Sequence, residues 1–523
     1  MAWVWAAAAE TPSNAGRTLV VFPFDNASSA PGLEWIGDAF PELLKQRLSS
    51  PTLYVVGREE RRVAYDRAGI PADVHPSRAS LHRIAEQLDV DFAVLGQFTY
   101  DGSKFSCTAQ LLDMRKEKLL PKVTATGSLV DLINLQTGLA WDLLHMLRPD
   151  ISITRDSFIA AAEPIRLDAF ENYVRGTIAN APRDQISHFR DAVRINPSYL
   201  EAWLALGKTL YGERQYEQAV AAFGHIPETS PMAQEARFYL GLASYYRGDF
   251  AKSETAFKSV AERLPLPEVY NNLGVASSRQ GKRDAVAYFQ RAAQDDPSDA
   301  DYRFNLAVEL YRTGDTSGAV RQLREALNQR PGDGEARAFF EKLGGDTAAP
   351  TPTSTSTAVK APLERIKRNF DENTFRQMEM QLQAAAEVKL AKTDPRTHAR
   401  YHVSHGDELL SQGFVTEAER EYREAISLDA SNAQAHAGLA RVLENNGDAA
   451  GARAEADAAL RLRQFADPLL VIARLDLRDN KMEAAAESVD RALQLEPSNG
   501  SAQALKRVVA AKLAEKAQPL PKP

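Results

Sequence analysis

Three of the nine histidines fall inside "THARYHVSHGDE", as His398, His402 and His405. Their spacing of i, i+4 and i+7 puts them on one face of a helix. Two imidazoles at i, i+4 can chelate a transition metal. Asp407 and Glu408 follow closely, but neither carboxylate falls well on that face. Repeat register, set out below, turns His402 and His405 into the interior of a helical unit. The reading taken is packing, with no metal and no cofactor; His398, His402 and His405 are the residues a metal would have to use. The single cysteine, Cys107, lies in "KFSCTAQLL", where Phe105, Cys107, Ala109 and Leu111 alternate with polar residues. That period of two places it on the apolar face of a strand as a buried, inert thiol. One cysteine forms no intramolecular disulfide and no cysteine metal cluster. The sequence contains no phosphate loop, dinucleotide glycine fingerprint, serine nucleophile elbow or paired-histidine zinc helix. A non-enzymatic protein is therefore expected. "GREERR", at Gly57–Arg62, carries Glu59 and Glu60 among its arginines and reads as the solvated start of a helix.

The chain has 523 residues, 25% of them charged, and a net charge of −7. That length asks for several domains, and the charge balance argues against a nucleic-acid binder. No stretch reaches the ~18 apolar residues of a spanning helix.

The elements that position any site come from internal repeats. An aromatic or leucine recurs as Phe189, Phe223, Phe257, Phe289 and Leu323, and a proline as Pro197, Pro231, Pro265, Pro297 and Pro331. Both series step by 34, 34, 32 and 34 residues. Gly207, Gly241 and Gly274 let a first helix approach its partner. Ala219, Ser253, Ala285 and Ala319 are small residues on the second, and the proline marks the turn into the next unit. In spacing and residue type this resembles the tetratricopeptide repeat, over 166–345. A more degenerate array, stepping by 34 and 33 through Ala418, Ala452 and Ala485, is placed at 363–515. Its opening, "LERIKRNF", reads as a helix with Leu363, Ile366 and Phe370 inward and Arg365, Lys367 and Arg368 outward. Between the arrays, 346–362 is rich in Pro, Thr and Ser and reads as a flexible linker; 516–523 reads as a disordered tail. The resemblance implies that helix A faces a binding groove. Register places Lys208, Tyr211, Phe238, Tyr245, Tyr246, Asn271, Arg279, Phe304, Tyr311 and Arg312 there, and aromatics with arginine suit a protein or peptide ligand.

Residues 17–150 follow a different grammar. "TLVVFPF" is strand-like, "LEWIGDAFPELLKQRLSS" has helical spacing, and "TLYVVG" is a short strand. The helix "SRASLHRIAEQLDV" precedes three strands, the first two joined at Asp101-Gly102, a hairpin signal. "SLVDLINLQTGLAWDLLHML" is a closing helix. Taken together, "VVFPFDN", "WIGDAFPELLKQRL", "IAEQLDVDFAVLGQF" and "CTAQLLDMRKEKLL" resemble the TolB amino-terminal domain family, related to curli-secretion and flagellar FlgO proteins. That resemblance implies a non-catalytic domain of bacterial envelope assemblies, often placed before tetratricopeptide repeats.

The expected architecture is an α/β amino-terminal domain (17–150), a connector (151–165) and an all-α repeat solenoid in two arrays. The expected function is a protein-interaction scaffold of the cell envelope, binding peptide or protein partners but neither nucleic acid nor a membrane through a spanning helix. The competing expectation is a cytoplasmic regulatory adaptor using the same grooves. Residues 1–16 decide between the compartments. "MAWVWAAAAETPSNAG" lacks the basic start of an export signal, yet Ala7-Ala8-Ala9 fits the small-residue cleavage rule. The stretch reads as the last part of a signal beginning upstream of Met1, which predicts a periplasmic or exported protein.

Overall fold

A computed structural model of the chain describes residues 17–28, 31–70, 76–149, 151–345, 360–370, 385, 388–390 and 392–517. The predicted leader (1–16) and most of the predicted linker (346–359) and tail (518–523) lie outside these residues. The chain divides into two compact units, one of 1–174 with 383–523, the other of 175–382.

The first unit opens with a mixed sheet. Strands β1 (Arg17–Val21), β2 (Asp25–Asn26), β3 (Leu53–Val55), β4 (Phe92–Tyr100), β5 (Phe105–Asp113) and β6 (Lys118–Gly127) run in the order β3-β1-β4-β5-β6, with β2 on β4. Strand β1 pairs in parallel with β3 and β4 and is covered on both faces, so Leu19, Val20 and Val21 are all buried. The remainder is an antiparallel meander, with Phe98 opposite Cys107 and Cys107 opposite Ala125. At the β4–β5 turn Gly102 takes φ +99°, and the Asp101 carboxylate accepts from the amides of Ser103 (2.9 Å) and Lys104 (2.8 Å). Helix α1 (Glu34–Leu48) sends Phe40 against Phe24 and Phe98 on one face of the sheet. Helices α2 (Arg58–Arg67) and α3 (Arg78–Gln87) send Ala64, Ile84 and Ala85 against Val20 and Ala93 on the other. Helix α4 (Leu132–Leu147) closes against α1 and β6. The predicted connector holds α5 (Arg155–Ala161), and in α6 (Leu167–Ile178) Phe170 meets Trp35 edge-on while Tyr173 donates to Glu42 at 3.1 Å.

"GREERR" does open α2, but one of its arginines is not solvated. Arg61 is 3% exposed, with Nη2 3.9 Å from Glu42 Oε1. Its burial lowers the guanidinium pKa, against the pull of the Glu42 carboxylate. Four-residue spacing puts Arg61 on the inward face beneath Tyr65, which sequence charge alone concealed.

The second unit is a stack of helical hairpins: α7 (Pro182–Ile195), then α8 (Leu200–Gly212) with α9 (Tyr216–Phe223), and α10 (Ala233–Arg247) with α11 (Phe250–Arg263). Next come α12 (Pro267–Ser278) with α13 (Ala285–Asp295), α14 (Ala300–Arg312) with α15 (Thr316–Gln329), and α16 (Gly334–Lys342). The recurrent glycine and phenylalanine meet. A Cβ on Gly241 or Gly274 would stand 2.8 Å from the ring of Phe257 or Phe289, so only glycine allows this approach of the helices. Aspartates set the helix starts: Asp249, Asp315 and Asp333 accept from the amides of Lys252, Gly318 and Ala336.

Residues 360–370 belong to this second unit and form neither helix nor strand. This corrects the expectation that Leu363 opens the second array with a helix. Leu363 is 61% exposed rather than inward, whereas the supposedly wet Arg365 and Lys367 are largely covered. The reason is competition for the backbone: an extended chain here finds side-chain partners for its peptide groups that a helix would forgo.

The second array returns the chain to the first unit. It comprises α17 (Pro395–Ser411), α18 (Val415–Leu428), α19 (Ala433–Asn445), α20 (Ala449–Leu462), α21 (Ala466–Arg478), α22 (Met482–Leu495) and α23 (Gly500–Ala517). The last helix runs two residues into the predicted tail. The α/β domain is tied to this array through buried polar groups. Ser152 Oγ, at the start of the connector, donates to Glu419 Oε2 at 2.6 Å and accepts from Asn446 Nδ2 at 2.9 Å, and Thr52 Oγ1 donates to Glu417 at 3.2 Å. Among the described residues no helix is long and apolar enough to cross a membrane.

Candidate functional site

Helix A of successive hairpins (α10, α12, α14) and α16 line a groove in the second unit, and residues 360–370 run through it in extended form. Three asparagines on the groove floor, Asn271, Asn272 and Asn305, are each fully buried. Asn305 accepts from the Arg365 amide (2.7 Å) and donates to the Arg365 carbonyl (2.7 Å). Asn272 does the same two residues along, accepting from the Lys367 amide (2.8 Å) and donating to the Lys367 carbonyl (2.8 Å). Asn271 adds a second donor to the Arg365 carbonyl at 2.9 Å, while its own oxygen accepts from Asn305. The amides thus pair with alternate residues of the segment as a neighbouring strand would. Only a side chain carrying both a donor and an acceptor serves this.

Between these backbone contacts, the side chains of Glu364, Arg365 and Lys367 each enter a site of opposite sign. The Glu364 side chain is fully buried beside Arg312, with Ser278 Oγ 2.7 Å from Oε1 and Arg279 Nε 3.2 Å from Oε2. The Arg279 contact is an ion pair whose N–H is not aligned as a hydrogen bond. Arg312 also donates to the Pro362 carbonyl at 3.0 Å. The Arg365 guanidinium lies 3.7 Å above the Phe304 ring and bonds to Asp333 (2.8 Å), Asp301 (2.9 Å) and Glu335 (3.0 Å). Lys367 Nζ reaches Asp299 (2.6 Å) and Asp301 (3.0 Å). Burial by itself would raise the Asp301 carboxyl; hydrogen bonds from Arg330, Lys367 and Arg365 outweigh it and hold the group well below the usual carboxylate range. Burial would likewise lower Arg365, yet the bonds to Asp333, Asp301 and Glu335 raise it. Apolar contacts complete the fit, with Phe370 edge-on to Phe238 at 5.7 Å and Arg368 over the Tyr246 ring at 5.4 Å.

Six of the ten groove residues read from the sequence touch the segment in these ways: Phe238, Tyr246, Asn271, Arg279, Phe304 and Arg312. The other four contact neighbouring repeats or extend the same walls. Lys208 pairs with Glu235 at 2.6 Å, and Tyr211 packs on Tyr239 and Tyr246. Tyr245 carries Arg279, and Tyr311 meets Phe339 edge-on. Sequence reading missed Asn272, Asn305, Ser278, Asp301 and Asp333. A signal was present for one of them: Asn305 stands 34 residues after Asn271, one repeat on.

The histidine cluster is built differently. His402 Nδ1 stands 2.7 Å and His405 Nδ1 3.4 Å from Glu421 Oε2, while His398 stacks on His402. Burial would raise the Glu421 carboxyl; the His402 hydrogen bond and the adjacent His405 imidazole overcome that and hold it at about 2. The cluster ties α17 to α18. Among the described residues no three His, Cys, Asp or Glu are grouped to hold a metal.

The helical hairpins, their glycine–phenylalanine contacts and their register coincide with a known sequence family. Residues 204–267 and 403–467, and again 283–343, match the family described as tetratricopeptide repeat. These segments are tetratricopeptide repeats. Such repeats are protein-interaction units. Two named relatives match part of the chain. BBSome complex member BBS4 of Xenopus tropicalis is 28% identical over 145 residues, 27% of this chain. A peroxisomal targeting signal receptor of Eremothecium gossypii is 26% identical over 167 residues, 32% of this chain. The chain spans 28% of the length of each. Similar solved structures include MamA (18% identity, 35% of this chain and 98% of that one, TM-score 0.30). YrrB, "a TPR protein with an unusual peptide-binding site", is 16% identical over 33% of this chain and 89% of that one, with TM-score 0.31.

Proposed function

We propose that this chain is a non-enzymatic protein-interaction scaffold of the bacterial cell envelope whose first array binds an extended protein segment. The observation that carries the reading is the two-way pairing of Asn305 and Asn272 with the backbone of residues 365 and 367. With the segment withdrawn, water would meet these amides, so each bond contributes only about 1 kcal/mol net. Their two-way geometry nonetheless matches the N–H and C=O of a peptide backbone. Arg279, Arg312, Phe304, Phe238 and Tyr246 supply selectivity, and Lys208, Tyr211, Tyr245 and Tyr311 extend the surface.

The envelope location rests on the TolB-like motifs of residues 17–150 and on Ala7-Ala8-Ala9. Two experiments test the reading. A peptide library is selected on the purified chain carrying Glu364→Ala and Arg365→Ala, and the selected peptides are retested after Asn271→Ala and Asn305→Ala are added. At least a tenfold loss of affinity is expected; unchanged affinity removes the groove from the reading. Fractionation with amino-terminal sequencing checks location, and an intact, unprocessed chain in the cytoplasm overturns that part.

A further inference from the structure

We propose that residues 362–370 are a built-in competitor for the groove, and that the partner it makes way for carries the same charge order on an extended backbone. That order is Glu, Arg, an apolar residue, Lys, and Phe three residues further on. The inference rests on the peptide-binding reading above and adds two things to it, a gate and a ligand grammar.

The grammar is read from the complementary sites. A carboxylate at the first position meets Arg279, Arg312 and the Ser278 hydroxyl; the buried Glu309 carboxylate, 3.6 Å from Arg312, offsets one of the two guanidiniums, and a cation there would add to the remaining positive charge instead of neutralising it. A guanidinium at the second position is held by Asp301, Asp333 and Glu335 above the Phe304 ring, a planar, multidentate site that an ammonium matches poorly. The fourth position takes an ammonium against Asp299 and Asp301. The order of the charges matters more than net charge, because each site penalises the wrong ion by desolvation as well as by repulsion.

The gate follows from connectivity. The segment builds no secondary structure of its own. It is joined to the array it fills through the 14 residues 346–359. Covalent linkage in one chain sets an effective concentration of ~1 mM. For a segment that binds the open groove at ~10 µM, the closed form then outnumbers the open by ~100-fold, and a free competitor is weakened by the same factor. A partner gains entry by binding more tightly than the internal copy or by acting on the segment.

The test uses the whole chain and a fluorescein-labelled synthetic peptide of residues 360–370, followed by anisotropy. The chain with Glu364→Ala and Arg365→Ala is expected to bind this peptide ~10–100-fold more tightly than the unaltered chain. A peptide with its Glu and Arg exchanged is expected to bind at least tenfold more weakly. Should the doubly altered chain lose helical signal, Lys367→Ala alone is expected to give the same ordering with a smaller step. Equal affinity for altered and unaltered chains overturns the gate. Equal affinity for the two peptides overturns the grammar. If library-selected peptides of other sequence bind through Asn271 and Asn305 while the 360–370 peptide binds neither chain, this inference falls and the peptide-binding reading stands.

Discussion

Replacing Asn305 by alanine isolates the energetics of the groove. Asn305 makes two hydrogen bonds to the backbone of Arg365, each 2.7 Å long, from a fully buried position. Each contributes about 1 kcal/mol net, so the change should weaken seating of the segment by about 2 kcal/mol and raise its opening equilibrium ~30-fold. Native-state amide exchange reads this directly. The informative amide is Lys367, not Arg365, because Lys367 donates to Asn272 and loses no bond in the variant. If the segment opens as a unit, Lys367 exchanges ~30-fold faster and the array loses a similar ~2 kcal/mol of stability to urea, because docking that only the folded array allows also stabilises it. Faster exchange confined to Arg365 would refute cooperative opening. A fall in array stability well beyond the change at Lys367 would make Asn305 a structural residue of α14 and refute the account of the groove.

Three further outcomes are expected. Glu421 has a folded pKa of about 2 against an ordinary 4.5, so unfolding takes up a proton. Its contribution of up to about 3 kcal/mol is present above pH 4.5 and fades toward pH 2. Thermal melts across that range should show the loss, and Glu421→Gln should flatten it. Gly274→Ala should destabilise by about 1–3 kcal/mol despite the helix-propensity gain of ~1 kcal/mol, because its Cβ would meet Phe289. Gly212→Ala, with nothing near its Cβ, should stabilise, and urea denaturation of the pair gives opposite signs. Burial pushes the Cys107 thiol up to about 12, so the native chain should resist iodoacetamide at pH 8 and react once unfolded in urea.

The repeats were legible because packing writes itself into sequence at a fixed step: glycine against phenylalanine recurs wherever two helices cross closely. The sheet was legible through period two, down to the side on which Cys107 lies. The groove was half legible. Its aromatics and arginines stand out, but Asn272, Asp301 and Asp333 are polar residues of ordinary type, and only proximity to residue 365 or 367 gives them meaning. The occupant itself was misread. "LERIKRNF" has apolar residues at helical spacing, and the hydrogen-bonding partners that draw it straight lie 30–95 residues away in sequence. Arg61 misled for the same reason, since the Glu42 that accompanies it comes from another helix.

The tie between the α/β domain and the second array has a consequence for synthesis. Ser152 and Glu419 are separated by 267 residues, and Thr52 and Glu417 by 365. At roughly 5–20 residues per second, the ribosome needs roughly 15–50 s after Ser152 to deliver its acceptor. The whole first array emerges in that interval and has its groove segment available before the second array exists. The α/β domain meanwhile waits with a polar docking face in water. The chain therefore matures out of order: the inserted middle closes first, and the two flanking parts join last.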